Sequence, residues 1–135
     1  MIMNSIEYHN LLVRIGLIVE PVQSNSGSLV VRDSGLNYIF EHNGDDPYYF
    51  RFVLPGVANE GDLQDRADEV VNEFNIMFKV SKIIRQGTQY HIVAEQYVFD
   101  FSTVELVIRQ IMPIMAQEIR QFHQRIIQIR NENGR

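Results

Sequence analysis

The clearest pattern of hydrophobic and polar positions lies between residues 102 and 131 and is that of a long amphipathic helix. Ser102, followed three residues later by Glu105, has the spacing of a capping box and predicts the start of the helix. Pro113 lies inside the helix and predicts a kink, because its ring crowds the carbonyl group four residues earlier. The apolar residues recur at steps of three and four, on one face: Val104, Ile108, Ile111, Met115, Ile119, Phe122, Ile126 and Ile129.

Two shorter stretches have the same helical periodicity. Asn4 to Ile15 has an apolar side and ends before Gly16, a residue suited to the left-handed conformation that closes many helices. Asp62 to Asn75 has a narrow apolar stripe beside an acidic face, and the six acids between residues 59 and 75 are accompanied by a single base, Arg66. That acidic face has two interpretations, a solvated surface or a patch for a basic partner.

Alternation of apolar and polar residues predicts five strands. They are Leu29–Arg32, Leu36–His42, Tyr48–Leu54, Ile76–Arg85 and Gln89–Phe99. Turn signals at Asp33-Ser34-Gly35, Asn43-Gly44 and Gln86-Gly87-Thr88 indicate antiparallel pairing of neighbouring strands. Pro55-Gly56 is expected to end the third strand. For residues 17–22 two interpretations stay open, a last helical turn or a short edge segment.

The predicted order of elements is α-β-β-β-α-β-β-α, which indicates the α+β class. We expect a single domain over residues 1–135, because the length is that of one ordinary domain and the polar stretch Gln23–Ser28 is short enough to be a loop. One antiparallel sheet of about five strands is expected. The helices Asn4–Ile15 and Ser102–Asn131 are expected on one face of that sheet, with Asp62–Asn75 at an end or edge.

Composition removes several classes of function. The net charge of -5, from 12 basic and 17 acidic residues, argues against a general nucleic-acid binder, which needs a basic face. The chain has no cysteine, which excludes disulfides, thiolate catalysis and cysteine-based zinc sites. No apolar run approaches the roughly 20 residues of a membrane span, and residues 1–10 lack the pattern of a signal peptide. We therefore expect a cytoplasmic protein that binds neither nucleic acid nor membrane.

The sequence contains no recognisable catalytic or cofactor motif. The histidines (His9, His42, His91 and His123) lie on four different predicted elements and lack metal-ligand spacing, although His42 and His91 are placed where they can converge. There is no GxSxG, Walker or GxGxxG motif. We expect no catalytic residues, no metal and no cofactor, and hence no enzyme.

An aromatic-rich set of residues invites comparison with a stacking platform for nucleic-acid bases. Such platforms are interleaved with basic residues, and here only Arg51 is at hand, so packing in the core and between strands is the favoured interpretation. The set consists of Tyr48, Tyr49, Phe50, Phe52, Tyr97, Phe99 and Phe101.

The arrangement of elements resembles the type III secretion chaperone-like superfamily, and its lower half is similar to the YbjN-like branch. The segments that carry the resemblance lie between about residues 36 and 130: strand YYFRFVLPG, helix DLQDRADEVVNEFN running into FKVSKII, hairpin QGTQYHIVAEQYVF, and the closing helix with Phe122-His123. The resemblance implies a small, non-enzymatic α+β protein. The secretion chaperones are typically dimers that bind extended protein segments, so a protein partner or a homodimer is implied.

The leading hypothesis is a non-catalytic protein-interaction module, chaperone-like or regulatory, that binds through a sheet face or the C-terminal helix. That helix is on the order of 43 Å long, so its end either overhangs the domain or folds back onto the sheet. If it overhangs, the partner-binding residues are Phe122, Ile126, Ile127 and Ile129. The alternative is a small-molecule binding domain or enzyme with a pocket between a curved sheet and the long helix, using His42, His91 or Tyr97.

Overall fold

The structure, a computed structural model, describes residues 5–21, 27–43 and 45–133. The α+β class is confirmed, with one sheet and three longer helices. In chain order the elements are α1 (Ser5–Ile15), β1 (Ile18–Pro21), β2 (Ser28–Asp33), β3 (Leu36–Asn43), β4 (Asp46–Asn59), the short α2 (Glu60–Leu63), a 3-10 turn (Gln64–Arg66), α3 (Ala67–Met77), β5 (Lys82–Gln86), β6 (Gln89–Tyr97), a 3-10 turn (Phe101–Thr103) and α4 (Val104–Asn133). The predicted Asn4 cap, the Gly44 turn position and most of the Gln23–Ser28 loop lie outside the described residues.

The sheet has six strands in the order β1-β2-β3-β4-β6-β5, one more than expected. The additional strand is β1, which pairs with β2 from Ile18↔Arg32 to Pro21↔Leu29. Gly16, with φ of 107°, ends α1 and turns the chain so that the following residues can extend. Of the two interpretations left open for residues 17–22, the short edge segment is the one found: β1 has four residues and ends in a proline, which an edge position tolerates.

The chain divides into two compact units, each built from two separate stretches of sequence. Unit 1 consists of Met1–Leu54 and Glu95–Gln110, and unit 2 consists of Pro55–Ala94 and Ile111–Arg135. The strands β4 and β6 and the helix α4 therefore contribute residues to both units. The expectation of one domain over residues 1–135 stays a prediction.

The core of unit 1 is aromatic. Tyr8 of α1 is buried with its ring 5.0 Å from that of Phe40 on β3, and Phe40 in turn contacts Phe50 and Phe52 of β4. The hairpin between β2 and β3 closes through Ser34-Gly35, both with positive φ (52° and 78°), as the predicted turn requires. Tyr8 thus packs α1 against Phe40 of β3, which continues into the aromatic side chains of β4.

Unit 2 holds α3 against α4 and β5. The ring of Phe74 on α3 meets that of Phe122 on α4 edge to face at 5.6 Å. The carboxamide of Asn75 accepts from the Ile83 N–H at 2.7 Å and donates to the Ile83 carbonyl at 3.0 Å. Because β5 is an edge strand, this carboxamide takes the place of a neighbouring strand at Ile83.

Several predicted boundaries were wrong. The strand β4 continues through Pro55-Gly56; the ladder between β3 and β4 ends at Val53, so the missing Pro55 N–H costs no bond to β3. The predicted helix Asp62–Asn75 is divided into α2, a 3-10 turn and α3, because Gln64 has a positive φ of 55° that no right-handed helix accommodates. The segment after Met77 is a turn rather than the start of a strand.

The long helix starts at Val104 rather than at Ser102. The predicted capping box is replaced by Asp100, whose carboxylate accepts from the Ser102 N–H at 3.0 Å. Glu105 instead pairs with Arg14 at 3.0 Å and with Arg109 at 3.5 Å. The helix is continuous through Pro113, and the kink predicted there stays a prediction.

Candidate functional site

The residues predicted to bind a partner fall into two groups in the structure. Phe122 and Ile129 are fully buried and Ile126 is 6% exposed, so these three belong to the core of unit 2. Ile127 is 52% exposed and is the one of the four that is open to a partner. The helix stripe thus packs in the core of this structure, and partner binding at Ile127 stays a prediction.

Glu118 is a buried carboxylate on α4 that no pattern in the sequence singled out. It accepts hydrogen bonds from the backbone N–H groups of Lys79, Val80 and Ser81, at 2.8, 3.3 and 2.9 Å, and from the Ser81 hydroxyl at 2.7 Å. Three successive N–H groups converge on it, which an extended strand cannot arrange because its N–H groups alternate in direction. These hydrogen bonds explain the turn after α3 and give Glu118 a structural rather than a chemical role.

The two histidines considered for a pocket have different partners. His42 lies on β3, with Nε2 2.8 Å from the Ser5 hydroxyl and its ring 4.9 Å from that of Tyr8. His91 lies on β6, where Nδ1 accepts from the Gly56 N–H at 2.8 Å. Among the residues that the structure describes, no three histidine or carboxylate side chains are grouped to hold a metal ion.

Burial lowers the pKa of His42, which yields a prediction about pH. The unfolded chain then takes up the proton before the folded chain does, so stability falls as the pH drops below the ordinary histidine value of about 6.5. We expect His42→Gln, which cannot titrate, to show a smaller loss of unfolding free energy between about pH 7.5 and about pH 5.5 than the native chain. Urea unfolding at both pH values measures this. If the unfolding free energies of the two proteins depend on pH identically, His42 does not contribute to the pH dependence of stability.

Unit 1 carries an open cavity where β4 begins and β6 ends. Asp46 is the first residue of β4 and Tyr97 is the last of β6, and the Val98 N–H donates to the Tyr48 carbonyl at 2.8 Å, which holds the two segments together. The cavity has a volume of about 230 Å³. Its lining consists of Asp46, Tyr48, Tyr97, Val98 and Phe99.

Three of the lining residues are large aromatic side chains exposed to solvent, and we call Tyr48, Tyr97 and Phe99 the aromatic cluster. Phe99 is fully exposed, Tyr97 is 61% exposed and Tyr48 is 45% exposed. Single exposed apolar residues are common on protein surfaces, but a group of them around one cavity is a feature of binding sites. The aromatic cluster is therefore the strongest candidate for a functional surface among the described residues.

The rings of the aromatic cluster are held in place by their neighbours. The Tyr97 hydroxyl donates to Asp46 Oδ2 at 2.6 Å, and this bond to a carboxylate raises the pKa of the Tyr97 phenol. Tyr48 stacks on Phe101, with ring centres 5.4 Å apart and an angle of 13° between the ring planes. The ring of Tyr49 lies 5.2 Å from that of Tyr97. Two of the three cluster rings thus have fixed positions, whereas Phe99 extends into solvent.

The negative charge of the chain belongs to the same unit as the aromatic cluster. Unit 1 contains nine acidic and four basic residues, and unit 2 contains eight of each, so unit 1 accounts for the whole net charge of -5. The four arginines of unit 1 all take part in ion pairs, as Arg14–Glu105, Arg32–Glu20, Arg51–Glu41 and Arg109–Glu105. The excess charge of unit 1 is therefore acidic.

The acidic face predicted on the second helix lies in unit 2 and meets basic side chains there. Glu73 lies 3.9 Å from Arg125, and Glu69 lies 3.4 Å from Arg66. Asp62, in the preceding α2, lies 3.6 Å from Arg130. These partly exposed pairs offset part of the negative charge of the face.

The aromatic residues were predicted to serve in packing, and this holds for only part of the set. Phe50 and Phe52 are buried in unit 1, as expected. Tyr97 and Phe99 are exposed, and the alternation of β6 puts Tyr97 on the side of His91, Val93 and Glu95. That position was the one signal in the sequence for a surface site. Tyr48 carries no such signal, because it shares its alternation with the buried Phe50.

Within residues 5–21, 27–43 and 45–133, none of the helices combines the length and the apolar character that crossing a membrane requires. Comparisons of the chain with protein-family models, with curated proteins and with solved structures found no significant match to any of the three. The resemblance to the type III secretion chaperone-like superfamily accordingly stays a prediction. The aromatic cluster and its surroundings are therefore the basis for a function.

Proposed function

We propose that this protein is a non-catalytic protein-interaction module, chaperone-like or regulatory, that binds its partner through the aromatic cluster of unit 1. The observation that carries the proposal is the exposure of Tyr48, Tyr97 and Phe99 around one cavity. Burying a side chain of the size of Phe99 is worth about 1.5–3 kcal/mol, which a partner gains by covering it. Aromatic residues are also the type most often found at the energetic centre of protein interfaces.

The size of the cavity favours a partner side chain over a metabolite. Pockets for small organic ligands usually enclose about 300–1,000 Å³ and bury most of the ligand. The cavity at Tyr97 has about 230 Å³ and is open to solvent. A small-molecule binding domain or enzyme is the second candidate function, and the presence of Tyr97 in the cavity is the observation in its favour.

Other surfaces considered for the partner offer less. Phe122, Ile126 and Ile129 are core residues of unit 2. The edge of β5 is met at Ile83 by the carboxamide of Asn75, which obstructs the addition of a strand from a partner. We propose instead that the aromatic cluster binds a protein partner, which is another protein or a second copy of this chain. We place this interaction in the cytoplasm and expect no nucleic acid to take part in it.

A quantitative pull-down of the tagged protein from its own cells tests the proposal. We expect a partner that is enriched with the native protein, is lost with Phe99→Ser, and is kept with Ile127→Ser. Both changes remove an exposed apolar side chain, so neither is expected to alter stability by more than about 0.5 kcal/mol. Ile127→Ser is therefore a matched control for a general loss of surface hydrophobicity.

Co-expression of two differently tagged copies tests for a homodimer in the same experiment. Recovery of the second copy with the native chain, and its loss with Phe99→Ser, identifies the partner as the chain itself. A partner lost with Ile127→Ser and kept with Phe99→Ser contradicts the proposal and returns the site to α4. No specific partner in any arm, together with a thermal shift by small metabolites, supports the second candidate function instead.

A further inference from the structure

We infer that the aromatic cluster, together with the Asp46 carboxylate, binds an arginine or lysine side chain from a basic segment of the partner protein. This inference rests on the proposed function and adds the chemistry of the group that occupies the cavity. Three observations support it: the position of one carboxylate, the aromatic lining of the cavity and the charge of unit 1.

Asp46 supplies a negative charge within the lining of the cavity. The Tyr97 hydroxyl engages Oδ2 of its carboxylate, and Oδ1 is a second acceptor that a guanidinium or ammonium group can use. A carboxylate that already accepts one hydrogen bond is fixed in orientation, which lowers the entropy lost when a ligand binds. A cationic group at Asp46 makes the stronger, charge-assisted type of hydrogen bond.

The aromatic cluster supplies the second part of a cation site. The face of an aromatic ring attracts a cation within about 6 Å of its centre, and arginine is the protein side chain that uses this attraction most. Tyr48, Tyr97 and Phe99 border the same cavity as Asp46. The combination of a carboxylate with several rings suits a flat or elongated organic cation better than an inorganic ion, which the rings cannot ligate.

The charge of unit 1 favours the same occupant at longer range. Unit 1 carries the whole net charge of -5, and its arginines are engaged in ion pairs. A basic segment is therefore attracted to this unit and an acidic one is repelled, an effect that added salt weakens. Asp100, next to Phe99 in the chain, caps the following turn and adds a further carboxylate close to the aromatic cluster in sequence.

The test uses three synthetic peptides of twelve residues that are identical except at every third position, which holds arginine, its uncharged analogue citrulline, or glutamate. Each peptide is titrated into the isotope-labelled full chain, and the amide signals of residues 97–99 are followed by NMR. We expect the arginine peptide to bind on the order of tenfold more tightly than the citrulline peptide, and the glutamate peptide not to bind.

Two charge-neutralising variants separate the local carboxylate from the overall charge. Asp46→Asn keeps an acceptor for the Tyr97 hydroxyl but removes the charge from the cavity, whereas Asp33→Asn removes one charge at the far end of β2. We expect Asp46→Asn to weaken the arginine peptide severalfold and Asp33→Asn to leave its affinity nearly unchanged. Equal binding of the arginine and citrulline peptides, or equal effects of the two variants, overturns the inference.

The experiments distinguish a failure of the proposed cationic occupant from a failure of the proposed protein-interaction surface. If Phe99→Ser removes the cellular partner while Asp46→Asn keeps it, the protein interaction stands and the cationic occupant is overturned. If neither variant affects the partner, and no peptide shifts the signals of residues 97–99, both the occupant and the surface are overturned.

Discussion

Glu118→Ala is expected to lower the free energy of unfolding by about 3–5 kcal/mol, because four hydrogen-bond donors lose a charged acceptor. Glu118 is 7% exposed, and its carboxylate accepts four hydrogen bonds, three of them from successive backbone N–H groups after α3. Its removal leaves the buried N–H and hydroxyl of Ser81, and the partly buried N–H groups of Lys79 and Val80, without their acceptor. Each orphaned buried donor costs about 1–3 kcal/mol before any relaxation. The turn from Lys79 to Ser81 that positions β5 loses its anchor at the same time.

Chemical denaturation measures this loss, with Glu132→Ala as the matched control. Glu132 lies on the same helix and pairs with Arg66 at 3.1 Å, but its side chain is half exposed, so its removal is expected to cost about 0–1 kcal/mol. Ser81→Ala removes only the hydroxyl donor and is expected to cost about 1 kcal/mol. If Glu118→Ala and Glu132→Ala are equally mild, the carboxylate does not anchor the turn.

Phe122→Ala is expected to destabilise the chain by about 3–5 kcal/mol, as large-to-small changes at buried aromatic positions do. Phe122 is fully buried and meets Phe74 of α3 edge to face, so alanine leaves a cavity where α3 and α4 touch in unit 2. Ile127→Ser, five residues along the same helix, removes a half-exposed side chain and is expected to change stability by no more than about 0.5 kcal/mol.

Urea unfolding of the two variants distinguishes core from interface on α4. A large loss of stability for Phe122→Ala beside no loss for Ile127→Ser assigns Phe122 and its neighbours in the stripe to the core of unit 2. The opposite interpretation is an overhanging helix with an interface of Phe122, Ile126, Ile127 and Ile129. It predicts that Phe122→Ala keeps its stability and loses a partner.

Local pattern predicted much of this fold. The strand β3 was predicted from its alternation of apolar and polar residues. The Ser34-Gly35 turn was predicted because a two-residue hairpin needs residues that tolerate positive φ. The stripe of α4 was equally readable, and its members from Val104 to Ile129 are buried in the structure. These features depend on residues close together in the chain, which is what periodicity and turn chemistry report.

The features that escaped prediction depend on residues far apart in the chain. The turn after Met77 is fixed by Glu118, which lies 37 to 39 residues away in sequence, and the alternation of residues 76–85 contains no sign of it. The start of α4 was misplaced because Glu105 pairs with Arg14, 91 residues earlier, instead of closing a capping box. Local propensity yields to such tertiary contacts.

The candidate site could be predicted from the sequence only in part, because its residues also come from distant positions in the chain. The alternation placed Tyr97 on the polar side of β6, but it could not reveal that Tyr48 would meet it at a shared cavity. That meeting depends on the Val98–Tyr48 hydrogen bond, which joins segments 50 residues apart. The stripe of α4 misled in the opposite direction, since a long apolar stripe does not say whether its own domain or a partner covers it.

Photo-crosslinking tests most directly whether the aromatic cluster of unit 1 touches the partner, as we propose. A photoreactive phenylalanine analogue is introduced at position 99 in one protein and at position 127 in another, and the proteins are irradiated in their own cells. We predict a crosslinked protein partner, or a crosslinked second copy, from position 99 and little or none from position 127. A partner crosslinked from position 127 alone contradicts the proposal and moves the interface to the C-terminal helix.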